Sequence, residues 1–157
     1  MERIGFLTPK QLLIAHLRSR GLSSTEIARL LGVSRQDVAV AAKRAQRNYM
    51  AALETIGAYL AATCSVVEAA PGEPPEGVAE RLIALADKTG VKLPMGRGEL
   101  ATYIRAARLI HGDHLCLALR RDGVPVPLDC GVVERVRLLL ARATPGRRGG
   151  TPRPPGA

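Results

Sequence analysis

Tryptophan is absent from the 157-residue chain, phenylalanine occurs once, and aromatics make up only 3% of the sequence. So few rings exclude a base-stacking surface for single-stranded nucleic acid, which needs several exposed aromatics. Packing falls to aliphatic side chains instead. The three cysteines, Cys64, Cys116 and Cys130, are odd in number and contain no C-x-x-C pair. That fits neither a disulfide framework nor a zinc-finger spacing, and reduced, buried thiols are expected. No apolar run approaches the roughly 20 residues that span a bilayer. The opening MERIGFLTPK lacks the long apolar stretch of a secretion signal. A soluble, cytoplasmic protein with no membrane contact is the expectation. Phosphate-loop glycines, a nucleophile elbow and paired carboxylates are also missing, so neither catalysis nor a cofactor is expected.

A hydrophobic share of 46% is enough to bury a core. The net charge of +9 is unevenly spread: residues 1–50 carry +6, residues 51–143 are neutral, and residues 144–157 carry +3. Arginine outnumbers lysine 19 to 4, but a preference for arginine cannot place the excess at one end. The first segment therefore reads as an electrostatic footprint for a polyanion.

Residues 8–48 predict three helices. Thr8 is placed as an N-cap with Pro9 at the first helical position, and Gly21 ends the helix. Leu12, Leu13, Ala15, His16 and Leu17 are expected to form its buried stripe. Ser23-Ser24-Thr25-Glu26 is a capping box, with Ile27, Ala28 and Leu31 following at helical spacing before Gly32. Ser34 then caps a third helix with Asp37 in its first turn.

This arrangement from Ser23 to Arg47, supported by Thr8 to Arg20, has the spacing of a helix-turn-helix. Ala28 is small enough for helix contact, and Gly32 supplies a turn that a Cβ would oppose. Ile27, Leu31, Val33, Val38 and Ala41 form the expected core. The outward face holds Ser34, Arg35, Gln36, Ala39, Val40 and Lys43, the face that enters the major groove of double-stranded DNA in this motif. Arg35 can fork onto guanine and Gln36 onto adenine, while Ala39 allows close approach to a thymine methyl. Lys43, Arg44 and Arg47 suit phosphates, and Ser34 and Ser23 lie at helix N-termini that favour anions.

Beyond Val38, small or apolar residues recur at steps of four and three: Ala42, Ala45, Tyr49, Ala52, Ile56, Tyr59 and Thr63. Residues 49–62 are therefore read as a helical extension whose apolar stripe calls for a partner helix across a two-fold axis, giving a homodimer, or for the second domain. Residues 63–143 predict a small C-terminal α/β domain with a partly parallel sheet. Its expected elements are a strand at 64–69, a helix from the Pro74-Pro75 region to Gly90, a short strand VKLP, and a helix over 98–110. A hairpin turning at Asp122-Gly123 and a final helix over 131–143 complete it. Pro125 and Pro127 push the second hairpin strand to the sheet edge. Overall the class is α+β in two domains. The segment from Thr144 on, rich in Pro, Gly and Arg, predicts a disordered basic tail. His111, His114, Cys116 and Cys130 make a conceivable metal set, but a helix end and a buried strand explain the same residues, and no metal is expected.

The stretch FLTPKQLLIAHLRSRGLSSTEIARLLGVSRQDVAVAAKRAQRN resembles the N-terminal domain of the archaeal Tfx family of DNA-binding transcription regulators. The V-E-x-x-P-G run at 67–72, LADKTGVKL and the LRRDG turn extend the resemblance over about residues 5–128. The first part alone also resembles the reader domains of LuxR-type regulators and of sigma factors. Tfx membership implies a wingless helix-turn-helix joined to a separate α/β domain, in a sequence-specific regulator whose second domain dimerises or senses. The competing expectation is an enzyme or metal sensor delivered to DNA by the first domain.

Overall fold

The computed structural model describes residues 2–143; the predicted basic tail at 144–157 lies outside them. The described residues form six helices and a three-stranded antiparallel sheet, an α+β chain. The elements are α1 (Pro9–Ser19), α2 (Ser24–Leu31), α3 (Arg35–Thr63), β1 (Ser65–Ala69), α4 (Pro75–Thr89), α5 (Arg97–His111), β2 (Leu115–Leu119), β3 (Pro125–Leu128) and α6 (Cys130–Ala143). Contacts divide the chain into two compact units, one up to Ile56 and one from Gly57.

In the first unit the local signals act as expected. Thr8 caps α1, accepting the Gln11 N–H at 3.2 Å while its own N–H donates to Gln11 Oε1 at 3.0 Å. Pro9 stands at the first turn, where a missing N–H costs nothing. The core is Ile14, Ile27, Ala28, Val38 and Ala42, with Leu17, Leu22, Leu31, Val33 and Ala41 packed around it. The stripe of α1 differs from expectation. Ile14 is its fully buried residue, whereas Leu13, Ala15 and His16 are exposed. Ile14 and Leu17, three apart, face α2 and α3. Truncating Ile14 to alanine would cost roughly 2–5 kcal/mol, since a void at this centre has little freedom to collapse.

The second unit corrects the expected sheet. Both pairings, β1 with β2 and β2 with β3, are antiparallel. VKLP, residues 91–94, is not a strand but part of the link from α4 to α5. The reason is topological. One crossover helix returns the chain to begin a parallel strand, but two antiparallel helices bring it back to the end where β1 stopped. Arg97 meets Glu80 and Arg105 meets Glu76, so α4 and α5 do run in opposite directions. β2 lies in the middle of the sheet with all five residues buried. Leu115 and Leu117 join a core with Val78, Leu82, Leu100 and Ile104 of α4 and α5. Cys116 and Ala118 face the opposite way, toward Leu128 of β3 and Val133 of α6. β3, with its two prolines, is an edge strand as expected.

Candidate nucleic-acid interface

The connection from α2 to α3 is three residues long. Gly32 takes the left-handed conformation at φ +64°, which a side chain would oppose, and the Val33 N–H donates to Ala28 O at 3.0 Å. α3 then opens on a reciprocal pair. Asp37 N–H donates to Ser34 Oγ at 3.0 Å, and Ser34 donates both its N–H (3.3 Å) and its hydroxyl (2.7 Å) to Asp37 Oδ2. These bonds hold the Asp37 carboxyl below its ordinary range, with Lys10 adding a smaller pull. The Ser23 N–H, donated to Glu26 Oε2 at 2.7 Å, likewise lowers the Glu26 carboxyl, with the Ser23 hydroxyl adding a smaller pull.

Val38, Ala42 and Ala45 of α3 are buried. On the rest of the helix surface Arg35, Gln36, Ala39, Val40, Lys43, Arg44 and Arg47 are all exposed. Ala39 lies one turn after Arg35 and one turn before Lys43, with Arg47 a turn further, so these residues share one side. An open hollow of about 730 Å³ borders that side, with Ala39, Lys43 and Arg47 lining it beside Arg18 of α1. Ser34 and Ser23 are also exposed, but their side chains and N–H groups are engaged in their caps. The free N–H donors at these helix starts belong to the residues that follow each serine.

Two cations escaped the sequence reading. Arg18 Nη2 donates to Ser24 Oγ at 3.0 Å, tying α1 to the start of α2. Lys10 lines a small polar cleft with Gln11, Asp37 and Arg44. A signal for Lys10 was present: a cation in the first turn of a helix opposes the helix dipole and is out of place there unless it serves something else.

The two units differ in how they treat their arginines. The second unit pairs them internally, Arg81 with Glu73, Arg97 with Glu80, Arg105 with Glu76, Arg108 with Asp113, and Arg137 with Glu68. No ion pair among the described residues engages Arg35, Lys43, Arg44 or Arg47. A cationic face whose arginines and lysine form no internal ion pairs keeps most of its field for an external anion.

The metal set weighed for the second unit is dispersed among other partners. His114 Nε2 lies 2.7 Å from Glu68 Oε1, and Cys130 Sγ donates to the His114 carbonyl at 3.7 Å. Burial, and then a hydrogen bond with Cys130, push the Cys116 thiol up to about 12. Among the described residues no three His, Cys, Asp or Glu side chains converge as metal ligands, and no helix is long and apolar enough to cross a membrane.

No family model matches the chain. A Pyrococcus furiosus protein named "putative transcriptional regulatory protein" is 35% identical over 138 residues, 84% of this chain and 96% of the relative. A protein of the same name from Methanocaldococcus jannaschii is 33% identical over 107 residues, 67% of this chain and 77% of the relative. One from Thermococcus kodakarensis is 34% identical over 100 residues, 63% of this chain and 66% of the relative.

Proposed function

The chain belongs to the same family as these archaeal proteins named as transcriptional regulators, and from that membership we propose that it binds double-stranded DNA in a sequence-specific way. In this reading α2 and α3 act as a helix-turn-helix, the family is Tfx, and the protein works in the cytoplasm as a homodimer without catalysing a reaction. The observation that carries the reading is the exposed, unpaired cationic side of α3, backed onto a buried apolar side. Arg35, Gln36 and Ala39 stand in the first turns of the helix, where side chains reach base edges. Lys43, Arg44 and Arg47 lie further along, where phosphates are met.

Selection of bound duplexes from a random pool, followed by salt titration, tests it. Arg35→Ala is expected to relax base preference at one position, since a bidentate contact gives about 1–3 kcal/mol of discrimination. Arg47→Ala is expected to weaken all sequences alike and to lower the salt slope by about one. A pool that yields no enriched sequence would overturn the reading.

A further inference from the structure

The buried stripe of α3 does not end where its cover ends. Val38 and Ala42 pack in the first unit's core, and Ala45 one turn on is also buried. Continuing at steps of four, four and three come Tyr49, Leu53 and Ile56, which are 53%, 45% and 55% exposed. Met50 beside them is 54% exposed. The N-terminal turn at Ile4–Leu7 is closed by paired backbone bonds and held to α3 by Asn48, whose Nδ2 donates to Phe6 O at 2.9 Å. The ring of Phe6, on that turn, is 64% exposed. Phe6 and Tyr49 are the two aromatic residues of this unit, and neither is used in its core. Leaving scarce large rings in water is costly, and exposed apolar side chains gathered along one helix mark a contact site.

We infer that Tyr49, Leu53 and Ile56, with Met50 next in sequence and Phe6 on the turn that Asn48 holds to α3, form the surface through which two copies of this chain associate. Three features point to a second copy. Steps of four and three are the repeat at which one helix packs along another. Residues 49–56 include a single charged residue, Glu54, so the stripe offers nothing to a partner of opposite charge and little repulsion to its own twin. Finally, at roughly 150–250 Å² per large side chain, the exposed fractions of these five come to roughly 500 Å² per copy. A pair would bury about 1,000 Å², the lower bound for a specific interface. The inference deepens the DNA-reading proposal, because a two-fold pair would present two copies of the Arg35 face to paired half-sites.

The test is light scattering on the full chain without DNA, at tens of micromolar, so that its outcome is independent of whether any duplex binds. A dimer is expected, with Leu53→Asp and Ile56→Asp shifting it to monomer while circular dichroism stays unchanged. Leu109→Asp, at an exposed leucine of α5, should remain dimeric. If either stripe variant unfolds, Leu53→Cys serves instead: on a two-fold helix pair it should give a cross-linked dimer under oxidation beyond any seen in the parent, while Leu109→Cys should not. A monomeric parent, or a dimer indifferent to both aspartate variants and to Leu53→Cys, overturns the inference. Should DNA binding hold as well, Leu53→Asp is expected to weaken a two-half-site duplex on the order of a hundredfold and to leave a single half-site unaffected.

Discussion

The Ser34 hydroxyl donates to the Asp37 carboxylate at 2.7 Å while the Asp37 N–H bonds back to the Ser34 oxygen at 3.0 Å. This exchange starts α3 and puts an acid among cations that would meet phosphate. Ser34→Ala is expected to lower stability by about 1 kcal/mol, as the loss of a helix cap does, read as a reduced urea midpoint. The folded Asp37 carboxyl titrates below its unfolded value, so its contribution is complete above the ordinary aspartate range and is lost as pH falls through the lowered value. Asp37→Asn should flatten that acid limb. It should also tighten binding to every duplex, since it removes a negative charge from the face.

Two glycines separate conformational strain from collision. Gly32 and Gly123 both have positive φ, +64° and +81°. A Cβ on Gly32 meets nothing within 4 Å, whereas one on Gly123 falls 2.0 Å from Lys92 O. Gly32→Ala should therefore cost only the left-handed penalty, about 1–2 kcal/mol. Gly123→Ala must in addition push the hairpin turn off the α4–α5 link, and should lose more than Gly32→Ala in parallel urea titrations. Equal losses would mean that the link yields freely.

Much of this fold was legible because its signals are local. Thr8, Ser23 with Glu26, and Gly32 each act on backbone groups within four residues, and each helix they start or stop is found where expected. The failures are where the answer depends on something remote. In Leu12–Leu17 nearly every position is apolar or small, so periodicity alone could not fix which side of α1 is buried. That was decided by Ile14 reaching α2 and α3. VKLP has strand composition, but the direction of the sheet depends on how many helices join β1 to β2. On the candidate face, exposure of Arg35 to Arg47 followed from helical spacing. Lys10 belongs beside Asp37 and Arg44 only because α1 crosses near the start of α3, which no local pattern encodes.

Cys116 lies at the middle of the sheet and is 1% exposed. Burial raises its thiol to about 12, against about 8.5 for a thiol in the unfolded chain. Below the unfolded value both states hold the proton and stability is unaffected. As pH rises above it, only the unfolded chain ionises, so stability should fall progressively toward pH 12. Cys116→Ser leaves a hydroxyl that does not titrate there, and should remove part of that alkaline slope while lowering stability at neutral pH. Native protein at pH 8 should resist alkylation at Cys116, while urea-unfolded protein should react. Rapid labelling of the folded chain would show that the core around Val133 and Leu128 opens readily.

Ala39 tests the reading face with the least disturbance to the fold. It is exposed, one turn from both Arg35 and Lys43, and it carries only a methyl group. If α3 lies in a groove, the side chain here sets how close the backbone comes to the base edges. Leucine is nearly as good a helix former as alanine, and the open hollow that Ala39 lines leaves room for it in the free protein, so Ala39→Leu should leave the urea midpoint within about 0.5 kcal/mol of the parent. Its added carbons would hold the helix away from the bases while phosphates remain within reach of the long Lys43 and Arg47 side chains. The expected result is at least a tenfold loss on the selected sequence, a small change on random duplex, and an unchanged salt slope. Unaltered affinity for both would place Ala39 outside the contact and move the interface to another side of the helix.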